Sequence, residues 1–285
     1  MTCGLTARRT PLLAPDMPDS ARADLVPVFA DEFDEPGLDT SVWIPHYLPA
    51  WSSRAASAAA YEISGSCLRL RIPTDHPVWC EGDHEPPIRV SGIQSGSWSG
   101  PVGSTQGQQP FRPDQTVREE QPAQWGWTPQ EGWVGMRARA LLSPRSMVSL
   151  WMVGREEVPE RSAEICVMEA FGDAVVPGES SAIGMGLHPF RDPEVREDFE
   201  AVRLPLDLAE FHTYACDWSS DRVDYLVDGA LVRRVEGPPR YPLQLMLAVF
   251  DFPDHSVGGD DELVPELVVD WVRGYGDAPG AQSAG

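Results

Sequence analysis

Apolar residues in this chain come in short runs separated by turn residues, and within several runs they alternate with polar ones. Cys67-Leu68-Arg69-Leu70-Arg71-Ile72 alternates with period two, the spacing of a half-buried strand. Tyr61-Glu62-Ile63 precedes it across a Ser-Gly turn, so the two segments predict a hairpin. From Trp133 the runs become regular, at 133–140, 147–154, 164–169, 183–188, 211–218, 222–227, 231–235, 243–250 and 267–273. Asp228-Gly229 between two of them is a hairpin turn signal. The run 243–250 is nearly all apolar and predicts a central strand. No strand-helix alternation and no internal repeat is visible, which disfavours a TIM barrel or a Rossmann fold. Many short strands joined by turns predict an all-β sandwich.

Between these runs lie segments of a different character. Residues 1–24 are small, polar and Pro-rich and read as a flexible N-terminal arm, with order starting near Val26. Residues 277–285 read as a loose C-terminal tail, which leaves 25–276 as one domain. Trp43 to Trp51 (WIPHYLPAW) is aromatic with two prolines and suits a loop. Residues 73–90 and 91–132 read as long excursions, the second rich in Gly, Gln, Ser and Pro. Loops of that length are functional or unstructured. Trp51, Trp98, Trp125 and Trp127 in or beside these loops are candidate platforms on which sugar rings could stack, or else covers for the core edge.

Composition narrows the function. The net charge is −22, which argues against nucleic acid and anionic membranes as partners, because phosphate recognition needs clustered cations. The 22 basic residues are all Arg, so phosphate-loop lysines and Schiff-base chemistry are excluded. The five cysteines match no zinc spacing and read as free buried thiols in a reducing compartment. No run is long enough to span a membrane, and the N-terminus shows no signal-type apolar region. The expected compartment is therefore the cytoplasm, with secretion left open.

The most informative stretch is Glu164-Ile165-Cys166-Val167-Met168-Glu169. In a regular strand its two glutamates, five positions apart, face opposite ways. One β-bulge returns them to the same face. Glu164, Cys166 and Glu169 then line one surface, while Ile165 and one of Val167 or Met168 point into the core. Two carboxyl groups converging on one cleft are the equipment for glycosidic bond cleavage, and retention requires them about 5–5.5 Å apart. The plainer alternative is a strand with a solvated face.

The order of segments resembles glycoside hydrolase family 16, the laminarinase, lichenase and agarase group. The resemblance is carried by Phe29-Ala30-Asp31-Glu32-Phe33 with Leu38-Asp39 and Trp43, and by 133–139 followed by Leu150-Trp151-Met152. The Glu164–Glu169 stretch and 211–214 with Asp217-Trp218 and 225–229 complete it. It implies a concanavalin A-like jelly roll of two curved antiparallel sheets with a cleft on the concave one. It implies Glu164 as nucleophile, Glu169 as general acid/base, and His188 reaching into the cleft from a neighbouring strand or serving as a structural histidine. Cys166 stands where the family has an Asp that bonds to the nucleophile and adds negative charge beside the acid/base. A thiol is neutral and a weak donor, so the chemistry is either altered or lost. No cofactor is required; a structural calcium near Glu32 and Asp270 is weighed against ordinary surface acids, and the latter is favoured. The expected activity is retaining hydrolysis of a neutral β-linked glycan by a monomer. The alternatives are a silent carbohydrate-binding protein on the same sandwich, a transglycosylase, or an interaction module without a sugar ligand.

Overall fold

The computed structural model describes residues 26–260 and 262–276. The expected arm at 1–24 and tail at 277–285 lie outside these residues. Among the described residues seventeen strands follow one another, with three single 3-10 turns between them. The first six are β1 (Phe29–Asp31), β2 (Ala60–Ile63), β3 (Leu68–Arg71), β4 (Arg89–Gln94), β5 (Gly96–Ser97) and β6 (Gln124–Trp125). Next come β7 (Gly132–Leu141), β8 (Ser146–Gly154), β9 (Glu164–Phe171), β10 (Val175–Val176), β11 (Ser180–His188) and β12 (Asp198–Leu204). The last five are β13 (His212–Trp218), β14 (Arg222–Val227), β15 (Ala230–Glu236), β16 (Leu243–Asp251) and β17 (Glu266–Tyr275).

Two large antiparallel sheets form a sandwich. One runs β15-β14-β13-β7-β17-β3-β2, with β1 also on β17; the other runs β10-β11-β9-β8-β16-β4, with β12 also on β11. Period two explains how they bury one another. Val148, Leu150 and Met152 of β8, with Leu245, Leu247 and Val249 of β16, point inward to meet Leu70, Met136, Tyr214 and Val269 of the opposite sheet. The predicted hairpin at 61–72 is β2 and β3, closed by Ile63 opposite Leu68. The Asp228-Gly229 turn joins β14 to β15 with both residues at positive φ, as a primed two-residue turn requires.

The outer face of the second sheet is not left to water. Met147, Trp151 and Val153 of β8 and Met246, Ala248 and Phe250 of β16 face a second hydrophobic cluster built from loops, including Trp51, Trp79, Ile88 and Val117. Strands β8 and β16 are therefore buried along their whole length, as the apolar run at 243–250 predicts.

The excursions at 73–90 and 91–132 are more ordered than their composition implies. They contain β4, which pairs with β16 from Met246 opposite Gln94 to Asp251 opposite Arg89. Its Ser-Gly centre hides the strand signal because the ladder there admits no bulk. A Cβ on Gly92 would lie 2.8 Å from Cβ of Ala248. β12 was also hidden, as a largely exposed edge strand with no apolar run.

Candidate active site

The site is built on β9. Its ladder with β8 pairs Leu150 with Met168 but Trp151 with Cys166, so Val167 is an extra residue. Its ladder with β11 skips at the same place, with Gly184 opposite Glu169 and Gly186 opposite Cys166. The expected bulge is present. Both Val167 and Met168 enter the main core beside Ile165, where one of the two was expected, because a bulge turns two consecutive side chains to the same side. Glu164, Cys166 and Glu169 line one cleft of about 230 Å³ on the outer face of the sheet.

Glu164 is buried, with 8% of its surface exposed. Burial pushes its carboxyl well above the usual carboxylate range. The Nε2 of Gln109 donates a hydrogen bond to its Oε1 and opposes that shift, while Glu156, Glu169 and Glu197 reinforce it. Glu169 is half-buried, and burial raises its carboxyl to about 7. The buried Cys166 thiol is pushed well above its ordinary value by desolvation and by the two flanking glutamates, so it stays protonated and is no thiolate nucleophile. The thiols of Cys67, Cys80, Cys166 and Cys216 are all free, and Cys216 lies in the core between the sheets.

His188 stands directly opposite Glu164 across the β11–β9 ladder and lines the cleft. Its Nδ1 is 2.8 Å from Oε1 of Glu197, and its ring stacks on Phe199 at 4.7 Å. The cleft wall is aromatic. Trp79 packs edge-on to Tyr47 at 5.2 Å and to Phe111 at 5.3 Å, and Phe190 and Phe250 complete the lining. Phe190 is 56% exposed at the mouth.

The four candidate tryptophan platforms lie elsewhere. Trp51 is completely buried and its Nε1 donates to the Gln108 carbonyl at 2.7 Å, so it anchors a loop and offers no face to a ligand. Trp127 is buried in the main core, stacked flat on Phe29 at 4.5 Å. Trp125 is covered by the Arg155 guanidinium at 4.2 Å. Trp98 donates from Nε1 to the Arg155 carbonyl at 2.6 Å and borders a second cavity of about 760 Å³, which shares Pro110 and Phe111 with the cleft. Trp51 and Trp127 thus serve the core and the loops, Trp98 and Trp125 are half-buried outside the cleft lining, and the cleft itself takes its aromatics from Tyr47, Trp79, Phe111, Trp151, Phe190 and Phe250. Tyr47 sits in the WIPHYLPAW loop, and Trp79 and Phe111 in the two long excursions, so the signal was in the right loops but on other residues.

The two acids weighed for calcium are each engaged by an arginine. Glu32 is held by the Arg273 guanidinium at 2.7 and 2.8 Å, and Asp270 is paired with Arg137. Among the described residues no group of three or more His, Cys, Asp or Glu could hold a metal ion.

Comparison with known proteins bears on the fold. The chain is 33% identical over 94 residues to Congo red hypersensitive protein 1 of Saccharomyces cerevisiae, a match covering 30% of this chain and 16% of that protein. The matched part is thus about one sixth of the yeast protein's length. The GlcNAcα1-4Gal releasing endo-β-galactosidase from Clostridium perfringens superposes with a TM-score of 0.71 at 24% identity, over 86% of this chain and 60% of that one. The laminarinase catalytic domain of Thermotoga maritima superposes with a TM-score of 0.60 at 17% identity, over 88% and 98% of the two chains. The sandwich is therefore the jelly roll of these solved glycan-cleaving enzymes, and residues 147–258, which include the bulged strand, match the family model of Glycosyl hydrolases family 16.

Proposed function

We propose that the chain is a family 16 glycoside hydrolase that cleaves a neutral β-linked glycan with retention of configuration. The observation that carries this is the bulge at Val167, which brings Glu164 and Glu169 onto one face of one aromatic-walled cleft. Glu164 attacks the anomeric carbon and forms a glycosyl ester, while Glu169 gives its proton to the leaving oxygen. Glu169 then takes a proton from water, which opens the ester. The role of acid fits a carboxyl that burial keeps protonated up to about 7.

The cleft's ionisable lining consists of carboxyls, a thiol, a phenol and imidazoles, with no arginine, and the chain carries a net charge of −22, so a polyanionic glycan is repelled. The aromatic wall suits the C–H faces of neutral sugars. A β-glucan or a β-galactan is the substrate class, in keeping with the laminarinase and endo-β-galactosidase folds. Binding to one chain as a monomer, without a cofactor, suffices for this chemistry.

The test is cleavage of laminarin, mixed-linkage β-glucan and β-galactan oligosaccharides, read by mass spectrometry and by NMR of the first-formed anomer. A β-configured first product and a silent Glu164→Ala variant are expected. One observation favours a second reading. Cys166 supplies no negative charge between the two glutamates, which is also what a sugar-binding protein without turnover would show. Oligosaccharide binding by calorimetry with no cleavage by the native chain would select that reading.

A further inference from the structure

The hydrogen-bond partner of Glu164 comes from outside its own sheet. Gln109 lies in the long loop between β5 and β6, and its Nε2 donates to Glu164 Oε1. Its backbone is left-handed, with φ of 46°, which costs a non-glycine residue free energy and persists only where the surroundings hold it. Here they do. The Gln109 amide donates to Glu156 Oε1 at 2.8 Å. Glu156 is itself left-handed, with φ of 56°, and is held through Oε2 by the Arg191 guanidinium. The Arg191 amide in turn donates to Ser162 Oγ at 2.9 Å. On the other side, the Gln108 carbonyl accepts from Trp51, and the Gln108 Nε2 donates to Gln244 Oε1 at 3.0 Å.

Two bulky residues thus adopt unfavourable backbone angles so that one amide reaches one carboxylate. The Glu156 side chain is fully shielded from water, and β9 itself offers no carboxylate at position 166. Apart from the clamp, the ionisable groups facing Glu164 are Cys166, Glu169, Glu197 and Tyr47, with His188 across the ladder. None of these stabilises its anion as a neutral N–H donor does.

We propose that Gln109 is the positioning residue for Glu164, filling from a loop the role that the family resemblance gives to position 166, and that Glu156 and Arg191 are the clamp that aims it. This rests on the assignment of Glu164 as nucleophile. The prediction is that Glu164 loses its donor, and nothing else, in Gln109→Met, which keeps the side-chain volume and the amide bonded to Glu156; Gln109→Ala is the second variant.

The experiment combines two readouts. Carboxyl-carbon NMR titration, with Glu164→Gln to assign the signal, follows the ionisation of Glu164 in the full chain without substrate. Steady-state kinetics on an aryl β-glycoside follow turnover. In Gln109→Met, Glu164 is expected to ionise at higher pH than in the native chain. The kcat is expected to fall about tenfold to a hundredfold, as loss of a hydrogen bond to a charged group implies, with KM within about twofold. Adding Cys166→Asp to Gln109→Met is expected to restore part of the loss, more than it changes the native chain. Glu156→Ala is expected to lower kcat as Gln109→Met does. Coincident Glu164 titrations in native and Gln109→Met chains would overturn the proposal, and so would an unchanged kcat. A native chain that turns over no β-glycoside removes the hydrolase reading alone, because the titration still decides whether Gln109 governs Glu164.

Discussion

Gly186 stands opposite Cys166 across the β9–β11 ladder, at the point where the bulge makes the two strands lose register. Its φ is +153°, and a Cβ there would lie 2.1 Å from the Asp198 carbonyl oxygen. The absent side chain makes room for β12 and the Arg233 guanidinium against β11, at the position that faces the bulge. Gly186→Ala is expected to destabilise the fold by about 3 kcal/mol, from backbone strain and overpacking together. Turnover should fall more steeply than the residual folded fraction. Chemical denaturation beside activity of the folded fraction checks both.

Activity should have an alkaline limb set by Glu169. Burial holds this carboxyl protonated up to about 7, and a general acid works only while protonated. The expected kcat/KM declines about tenfold per unit above that pH, and it also falls on the acid side, where the buried Glu164 takes up a proton and can no longer attack. Cys166→Asp places a negative charge beside Glu169 and should move the limb to higher pH. A pH–rate profile of both chains reads this directly.

The same carboxyl makes stability depend on pH. In the unfolded chain Glu169 loses its proton near its ordinary 4.5, and in the folded chain near 7. Folding therefore retains a proton between those values, and stability is lost as pH rises through that window. Glu169→Gln removes the liability. Relative to the native chain it should gain little at pH about 4 and about 2–3 kcal/mol at pH about 8. Urea denaturation at the two pH values measures the difference.

Arg145 and Asp251 form a buried ion pair, with Nε to Oδ1 at 2.7 Å and side chains 8% and 2% exposed, and the Arg89 guanidinium approaches the same carboxylate at 3.6 Å. Removing Asp251 takes the carboxylate from both arginines at once. Asp251→Ala is expected to cost about 3–5 kcal/mol, whereas replacing both residues by apolar ones should cost much less. Thermal denaturation of the single and double variants separates the two cases.

Phe190 is expected to act on binding rather than on stability. It is 56% exposed and borders the cleft mouth, so its truncation exposes no core. Phe190→Ala should raise KM several-fold with kcat and melting temperature nearly unchanged.

Period two and turn residues made most of the sandwich legible before any coordinates. The strands with strict alternation or continuous apolar runs, such as β3, β8 and β16, are where they were expected. The bulge was legible as well, because two glutamates five apart share a face only through one extra residue. What escaped is what depends on approach rather than pattern. β4 was hidden because Gly92 and Ser91 are small to fit against β16, and small residues carry no strand signal. Trp51 and Trp127 were weighed as sugar platforms because a tryptophan in a loop looks available, yet their loops fold back on the sheets and bury them. Gln109 and Glu156 had no signal at all. Each is an ordinary polar residue in sequence, and only the meeting of two loops gives them a task.

The loop-built cluster over the second sheet has a further consequence. Tyr47, Trp79 and Phe111 belong at once to the wall of the trough and to the mass that secures it. Under the proposed function, fitting the cleft to a branched or bulkier polymer is then an act of excavation, not of trimming. Each widening substitution on that side removes buried packing, whereas the opposite lip at Phe190 is free to vary. Selection, natural or in the laboratory, should accordingly explore new specificities from that lip inward.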